Sequence, residues 1–192
     1  NNGEPTDDPR SRQLPYQLTP MWTNAPAFKK DVFTFIRLRY GRWRSYSGRG
    51  RGAGWDTDYP DADLNLAWRL QQMTSLKVDP NGMVLEITDP ELFKHPWCYM
   101  VEPGDLRFSE DDVKSLRKYL LSGGFMMVDD FWGEAEWENF YTEIKRVFPD
   151  REPKELNMKH PIFHTVFDIK LTKNEMQVPN IRTGTESQYP PH

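Results

Sequence analysis

Apolar residues fall along this chain in short unbroken runs, separated by stretches in which they recur every three or four positions. Runs that are apolar at successive positions suit strands covered on both faces, and the longer spacing suits helices with one buried stripe. Val32, Phe33, Phe35, Ile36 and Leu38 make the first run, a predicted strand over about 31–40. A helix follows through Leu64, Ala67, Trp68, Leu70 and Met73 to about residue 75, with Asp61 or Asp63 as its cap. Asp79-Pro80-Asn81-Gly82 is a turn in which Pro pre-sets φ and Asn-Gly accepts positive φ, and 83–87 is a short second strand.

The rest of the chain continues the alternation. Asp89-Pro90 opens a helical turn that Pro96 ends, and Trp97–Val101 reads as the third strand. Ser109 with Asp112 approximates a capping box, ahead of a helix whose Val113, Leu116 and Leu120 share a face until Gly123 stops it. Residues 125–128 then read as a buried strand that delivers Asp129 and Asp130 at its carboxyl end. The clearest helix has Trp137, Phe140, Tyr141 and Ile144 on one face, Glu134, Glu136 and Glu138 near its start and Lys145 and Arg146 near its end, the charge order that the helix dipole favours.

Strands alternating with helices predict right-handed crossovers and an α/β fold: an open, mostly parallel doubly wound sheet with helices on both faces, of flavodoxin-like type. The expected organisation is an extended arm or linker over 1–30 with Met21 and Trp22 pinned to the body, an α/β domain over 31–170, and an irregular segment over 171–192 at which the domain is incomplete. At 192 residues one core is the default, because single cores stop growing at roughly 250 to 300 residues.

Composition narrows the partners. A net charge of −4 argues against a polyanion as the main partner. The charge is uneven: six Arg and no acid lie within 37–51, and four Asp and no base within 56–63. The Arg/Gly/aromatic loop 42–52 resembles flexible RNA-binding tails, which makes nucleic-acid binding an alternative function, although in an acidic domain the same loop can pair with the Asp cluster. One Cys excludes an internal disulfide, and Cys98 inside an apolar strand reads as a small buried hydrophobe. No apolar run approaches the roughly 18 residues that span a bilayer, and the polar opening stretch reads as a linker exposed by processing.

In open parallel sheets ligands bind outside the carboxyl ends of the strands. That rule selects Tyr40 after the first strand, Glu102 after the third, and Asp129 and Asp130 after the fourth. The loop carrying Trp55, Asp56, Asp58 and Tyr59 joins the same rim, as do Phe131 and Trp132. The expected function is non-catalytic binding of a protein or small-molecule ligand by Tyr40, Trp55, Asp58, Tyr59, Glu102, Asp129, Asp130, Phe131 and Trp132, with no cofactor required.

The enzyme alternative is a metal-assisted hydrolase using Asp58, Asp129, Asp130 and His160, with Asp129, Asp130 and His160 as catalytic candidates. Asp56, Asp58 and Asp130 are the candidate ligands for a divalent cation. Asp56-x-Asp58 resembles the opening of a calcium loop without its central Gly or closing Glu. Each acid also has a plain structural reading: Asp61 or Asp63 as a cap, Asp58-Tyr59-Pro60 as a turn, and Asp129 against a helix N-terminus. No phosphate loop, dinucleotide fingerprint or nucleophile elbow is present.

Taken together, Trp55-Asp56-Thr57-Asp58-Tyr59-Pro60-Asp61-Ala62-Asp63, Thr88-Asp89-Pro90-Glu91-Leu92-Phe93, Gly123-Gly124-Phe125 with Val128-Asp129-Asp130-Phe131, Val147-Phe148-Pro149-Asp150-Arg151 and His160-Pro161-Ile162-Phe163 resemble the bacterial family called domain of unknown function 4159. The resemblance covers roughly 31–169. It implies a fold similar to class I glutamine amidotransferases, an open α/β sandwich, and an envelope location, periplasmic or extracellular, with a cytoplasmic one as the alternative. It implies no activity, and the Cys nucleophile that amidotransferases place at a strand end is missing near Asp129 and Asp130. Members of that family also tend to run on beyond the residue that ends this chain.

Overall fold

Ile36 and Leu38 point to one side of the first strand and Arg37 to the other, because successive side chains of a strand alternate. Both sides are covered. In a computed structural model, which describes residue 13 and residues 18–28, 31–41, 54–130, 132–165, 167–172 and 175, β1 (Ile36–Arg39) pairs in parallel with β2 (Met83–Glu86) and β3 (Trp97–Val101). β3 pairs in parallel with β4 (Phe125–Asp129), giving the order β2-β1-β3-β4. The three long helices are α1 (Asp61–Met73), α2 (Glu110–Leu121) and α3 (Gly133–Val147). An isolated parallel bridge between Phe33 and Val78 extends the β1–β2 pairing toward its amino end.

This is the predicted class, an all-parallel open α/β sheet wound in two directions from β1. The chain steps outward from β1 to β2 through α1, returns to β3 through a 3-10 turn at Pro90–Lys94, and steps the other way to β4 through α2. Right-handed crossovers in opposite directions set their helices on opposite faces. On one face Ile36, Leu38, Cys98 and Met100 pack in a single buried cluster with Leu116 and Tyr119 of α2 and Val147 of α3. On the other, Arg37 reaches Asp63 of α1.

The local signals behave as expected at most places. Ser109 and Asp112 form a reciprocal capping box at α2, Gly123 follows that helix with φ 99°, and Asp89 accepts the Glu91 N–H at the start of its 3-10 turn. Trp22 is pinned: its indole N–H donates to the Val78 carbonyl at 2.9 Å, and its ring lies 5.4 Å from that of Trp68. No helix among the described residues is long and apolar enough to cross a membrane.

Four expectations need correction. Neither Asp61 nor Asp63 caps α1. The N-cap is Pro60, without a side-chain cap, because Asp63 turns inward to Arg37 and Asp61 accepts from the Gln13 amide. Met21 is 61% exposed, so the arm is held by Trp22 and Asn24 instead. The 125–128 strand is not buried on both faces. β4 is the last strand of the described sheet, only one of its faces meets α2 and α3, and Phe125 and Met127 on the other face are 54% and 43% exposed. Asp129 does not meet a helix N-terminus: its carboxylate accepts from the Asp130 N–H and the Tyr99 hydroxyl.

Candidate functional site

Because all four strands run the same way, their carboxyl ends share one edge. Arg37 is in register with Tyr99, and Val101 with Asp129, so the segments leaving β1, β3 and β4 emerge side by side. The winding direction reverses between β1 and β3, which puts the crevice of a doubly wound sheet between Gly41 and Glu102.

Glu102 is the residue at that crevice. Its N–H still donates to the Asp129 carbonyl at 3.0 Å, prolonging the β3–β4 ladder, but its own backbone is left-handed, with φ 47°. Two features hold it there. The Tyr40 hydroxyl lies 2.7 Å from the Val101 carbonyl and 2.6 Å from that of Glu102, and the connection after β3 is tied to α3 through Asn139, Glu143 and Arg146. Tyr40 is itself 6% exposed and belongs to the apolar cluster, so its part in the rim is to hold the end of β3.

The loop 54–60 hangs above this point from two anchors. Gly54, at φ 127°, brings its N–H within 2.7 Å of Glu102 Oε2 in a conformation that a side chain would strain. Arg37 supplies the other anchor. It is fully buried, and its Nη1 donates to the carbonyls of Trp55 and Thr57 at 2.9 and 3.1 Å while its Nε and Nη2 hold the Asp63 carboxylate. The fixed fork of the guanidinium thus joins strand, helix and loop at one point. The Tyr59 and Tyr99 rings lie against it at 5.8 and 5.2 Å.

Around these anchors the rim is aromatic and acidic. The Trp55 and Tyr59 rings are 6.2 Å apart, and the Arg39 guanidinium, paired with Glu86, lies 5.7 Å from the Trp55 ring. Asp130 accepts the Trp132 indole N–H at 2.7 Å, and Glu136 accepts the Trp132 backbone N–H, also at 2.7 Å. Glu136 fits there because Gly104 lacks the Cβ that would come within 2.6 Å of it.

Burial pushes the Glu102 carboxyl above its ordinary value and the nearby Asp130 and Glu136 charges add to this, while the Gly54 N–H and the Thr57 hydroxyl oppose it. Burial likewise raises the Asp63 carboxyl, with Arg37 offsetting part of the effect, and raises the Tyr99 hydroxyl, to which the Asp129 charge contributes. The backbone shows the same concentration. Among the described residues three non-glycines have left-handed φ, namely Asp58 (54°), Glu102 (47°) and Asp130 (60°), and all three stand on this rim. Such conformations cost about 1–3 kcal/mol each, and they gather where a site imposes them.

The edge therefore brings together Trp55, Asp58, Tyr59, Glu102, Asp129, Asp130 and Trp132, with Tyr40 beneath it. Phe131 and the Arg/Gly loop 42–52 lie outside the described residues. Asp56 and Asp58 are exposed, and among the described residues no three of His, Cys, Asp and Glu are grouped so as to hold a metal ion. His160 accepts the Ile162 N–H at the start of its own 3-10 turn, and no hydrogen bond or ion pair joins it to Asp129 or Asp130. Cys98 is buried with its thiol pushed up to about 12 by desolvation, unsuited to nucleophilic attack.

Four contributors carry no clear mark in the sequence: Arg37, Asp63, Tyr99 and Glu136. Arg37 was legible only as one of an Arg-rich run. The usable signal was its place between Ile36 and Leu38, with an acid at Asp63 beside the apolar Leu64. A search of curated proteins finds no match. Residues 34–191 match the family described as a domain of unknown function, DUF4159, and the chain belongs to that family.

Proposed function

We propose that this chain is a non-catalytic binding domain that receives a small molecule or a protein segment at the carboxyl edge of its sheet, centred on Glu102 between β1 and β3. The observation that carries the reading is that Glu102 and Asp130, both in left-handed backbone and close enough for their charges to act on each other, stand on the edge where a doubly wound sheet binds its ligands, with the loop 54–60 tied to Glu102 through Gly54. Acids beside Trp55, Tyr59 and Trp132 suit a ligand that offers hydrogen-bond donors or positive charge together with an apolar face. Of the arginines described on β1, Arg37 is engaged by Asp63 and Arg39 by Glu86.

The test is an NMR titration of the isotope-labelled chain with a panel of small amines and of Lys- or Arg-containing peptides. Binding is expected to shift the Gly54 and Glu102 amides and the Trp132 indole. Those shifts should disappear in Trp55→Ala and in Asp130→Asn, the latter chosen because Asn tolerates the left-handed backbone. Both variants should keep the circular dichroism of the parent. Shifts confined to another face, or shifts that survive in both folded variants, would reject the assignment.

A further inference from the structure

Away from the sheet edge, His164 stands between two acceptors. Its Nδ1 lies 2.6 Å from Asp168 Oδ1, and its Nε2 lies 2.8 Å from the Met158 carbonyl oxygen. Neither partner can donate, since an ionised carboxylate and a backbone carbonyl only accept. A neutral imidazole carries a single N–H and satisfies one of the two, leaving a ring lone pair facing an oxygen at the other. The imidazolium carries two N–H groups and satisfies both. We infer that His164 is a protonation-dependent latch that ties Met158 to Asp168 when charged and releases one of them when neutral.

The surroundings make the latch local. His160 N–H donates to the Asn157 carbonyl at 2.9 Å, Phe163 N–H to that of His160 at 3.0 Å, and Ile169 N–H to that of Phe163 at 3.0 Å, so the turn at Pro161–His164 is folded on itself. The charged groups facing the ring among the described residues are Asp168 and, behind it, Lys170, whose Nζ is 3.6 Å from Asp168 Oδ2. The Met158 carbonyl and the Asp168 carboxylate both hold the imidazole in its charged form, so its pKa lies above the ordinary histidine value. The latch is accordingly fully closed below the ordinary value and opens as pH rises through the folded one. The latched segment contains the His160-Pro161-Ile162-Phe163 motif, largely exposed with the latch closed, so the charge of His164 sets how firmly that turn is held.

The experiment tracks the imidazole resonances and amide exchange of the whole chain against pH. His164 should titrate above the value of histidine in a short unstructured peptide. Protection of the Ile169 amide, corrected for intrinsic exchange, should fall by roughly threefold across that same transition, the scale of an exposed charge-assisted contact. In Asp168→Asn the titration should move down and take the protection step with it, and in His164→Gln the step should vanish. An unshifted His164, or protection that ignores its charge, would overturn the latch. A protection step that persists in folded His164→Gln would do the same.

Discussion

Both faces of the sheet bury apolar residues, Phe35, Leu64 and Ala67 on the α1 face among them, but they differ in what is added to that packing. On the α2/α3 face, Ile36, Leu38, Cys98 and Met100 meet Leu116, Tyr119 and Val147 in an apolar cluster. Such packing is non-directional, and a cluster of this kind absorbs small changes of shape. On the α1 face, the buried Arg37–Asp63 pair is directional: it joins β1 to α1 and, through the Trp55 and Thr57 carbonyls, to the loop 54–60. Desolvating both charges costs several kcal/mol per ion, which their mutual attraction only partly returns. A solution that is poor for stability but strict in geometry suits a face whose task is to position a rim. Apolar packing holds helices to both faces, and the ionic pair on the α1 face fixes where the loop 54–60 sits.

Breaking the ionic face gives the largest expected effect. Arg37→Met leaves Asp63 buried and unpaired, and Asp63→Leu does the same to Arg37; each should lower stability by about 3–5 kcal/mol in urea unfolding. The double variant, apolar at both positions, should recover most of that loss. It should not recover the rim, because the Trp55 and Thr57 carbonyls still lack their donor. The Gly54 amide, held by Glu102, should therefore exchange faster in the double variant than in the parent. If either single variant cost less than about 1 kcal/mol, or if the double variant kept the parent's exchange, the division of labour between the faces would be wrong.

Cutting the apolar face sharpens the contrast from the other side. Leu38 is fully buried, and Leu38→Ala should cost about 3 kcal/mol through lost transfer energy and the cavity left behind. Its effect on the edge should be nil, with Gly54 exchange and any titration at the Trp132 indole unchanged under native conditions. A stability loss as large as that of Arg37→Met is compatible with the comparison, but a displaced rim is not.

The same contrast explains what could be read from the sequence. The apolar face was legible because hydrophobic period reports burial: Trp97–Val101 was located to the residue, the capping box at Ser109 and Asp112 appeared where expected, and of the stripe through Trp137, Phe140, Tyr141 and Ile144 the residues Phe140 and Ile144 pack against the core while Trp137 is exposed. The parallel order and the shared edge followed from the alternation alone. The ionic face was not legible, because a charged residue in a strand pattern looks the same whether it is solvated or paired. Asp63, two residues past the start of a helix, looks like any first-turn acid until a fully buried Arg37 is known to face it. The exposure of Phe125 and Met127 was hidden for a related reason, since an apolar run says that a strand can be covered and not that both faces are.

The smallest effect comes from the edge itself and separates the faces by pH. Burial, with Asp130 and Glu136 nearby, raises the Glu102 carboxyl above its ordinary value. The folded chain then binds this proton more tightly than the unfolded chain does. The stabilising contribution of Glu102 is fully present below the ordinary glutamate value of about 4.3 and is lost as pH rises through the folded value. Glu102→Gln mimics the protonated form, and its amide oxygen can still accept the Gly54 N–H. At pH 7 the variant should therefore be slightly more stable than the parent, and the advantage should shrink to nothing as pH falls below the ordinary value. Taking the difference between the two unfolding curves at each pH removes Asp63, which titrates in both proteins. On the opposite face the buried Cys98 thiol, pushed up to about 12, stays neutral throughout this window. Leu38→Ala should thus shift stability by the same amount at every pH tested. A Glu102→Gln advantage that grew toward low pH would mean that the carboxylate is stabilised where it sits, as it would be by a cation held at the edge.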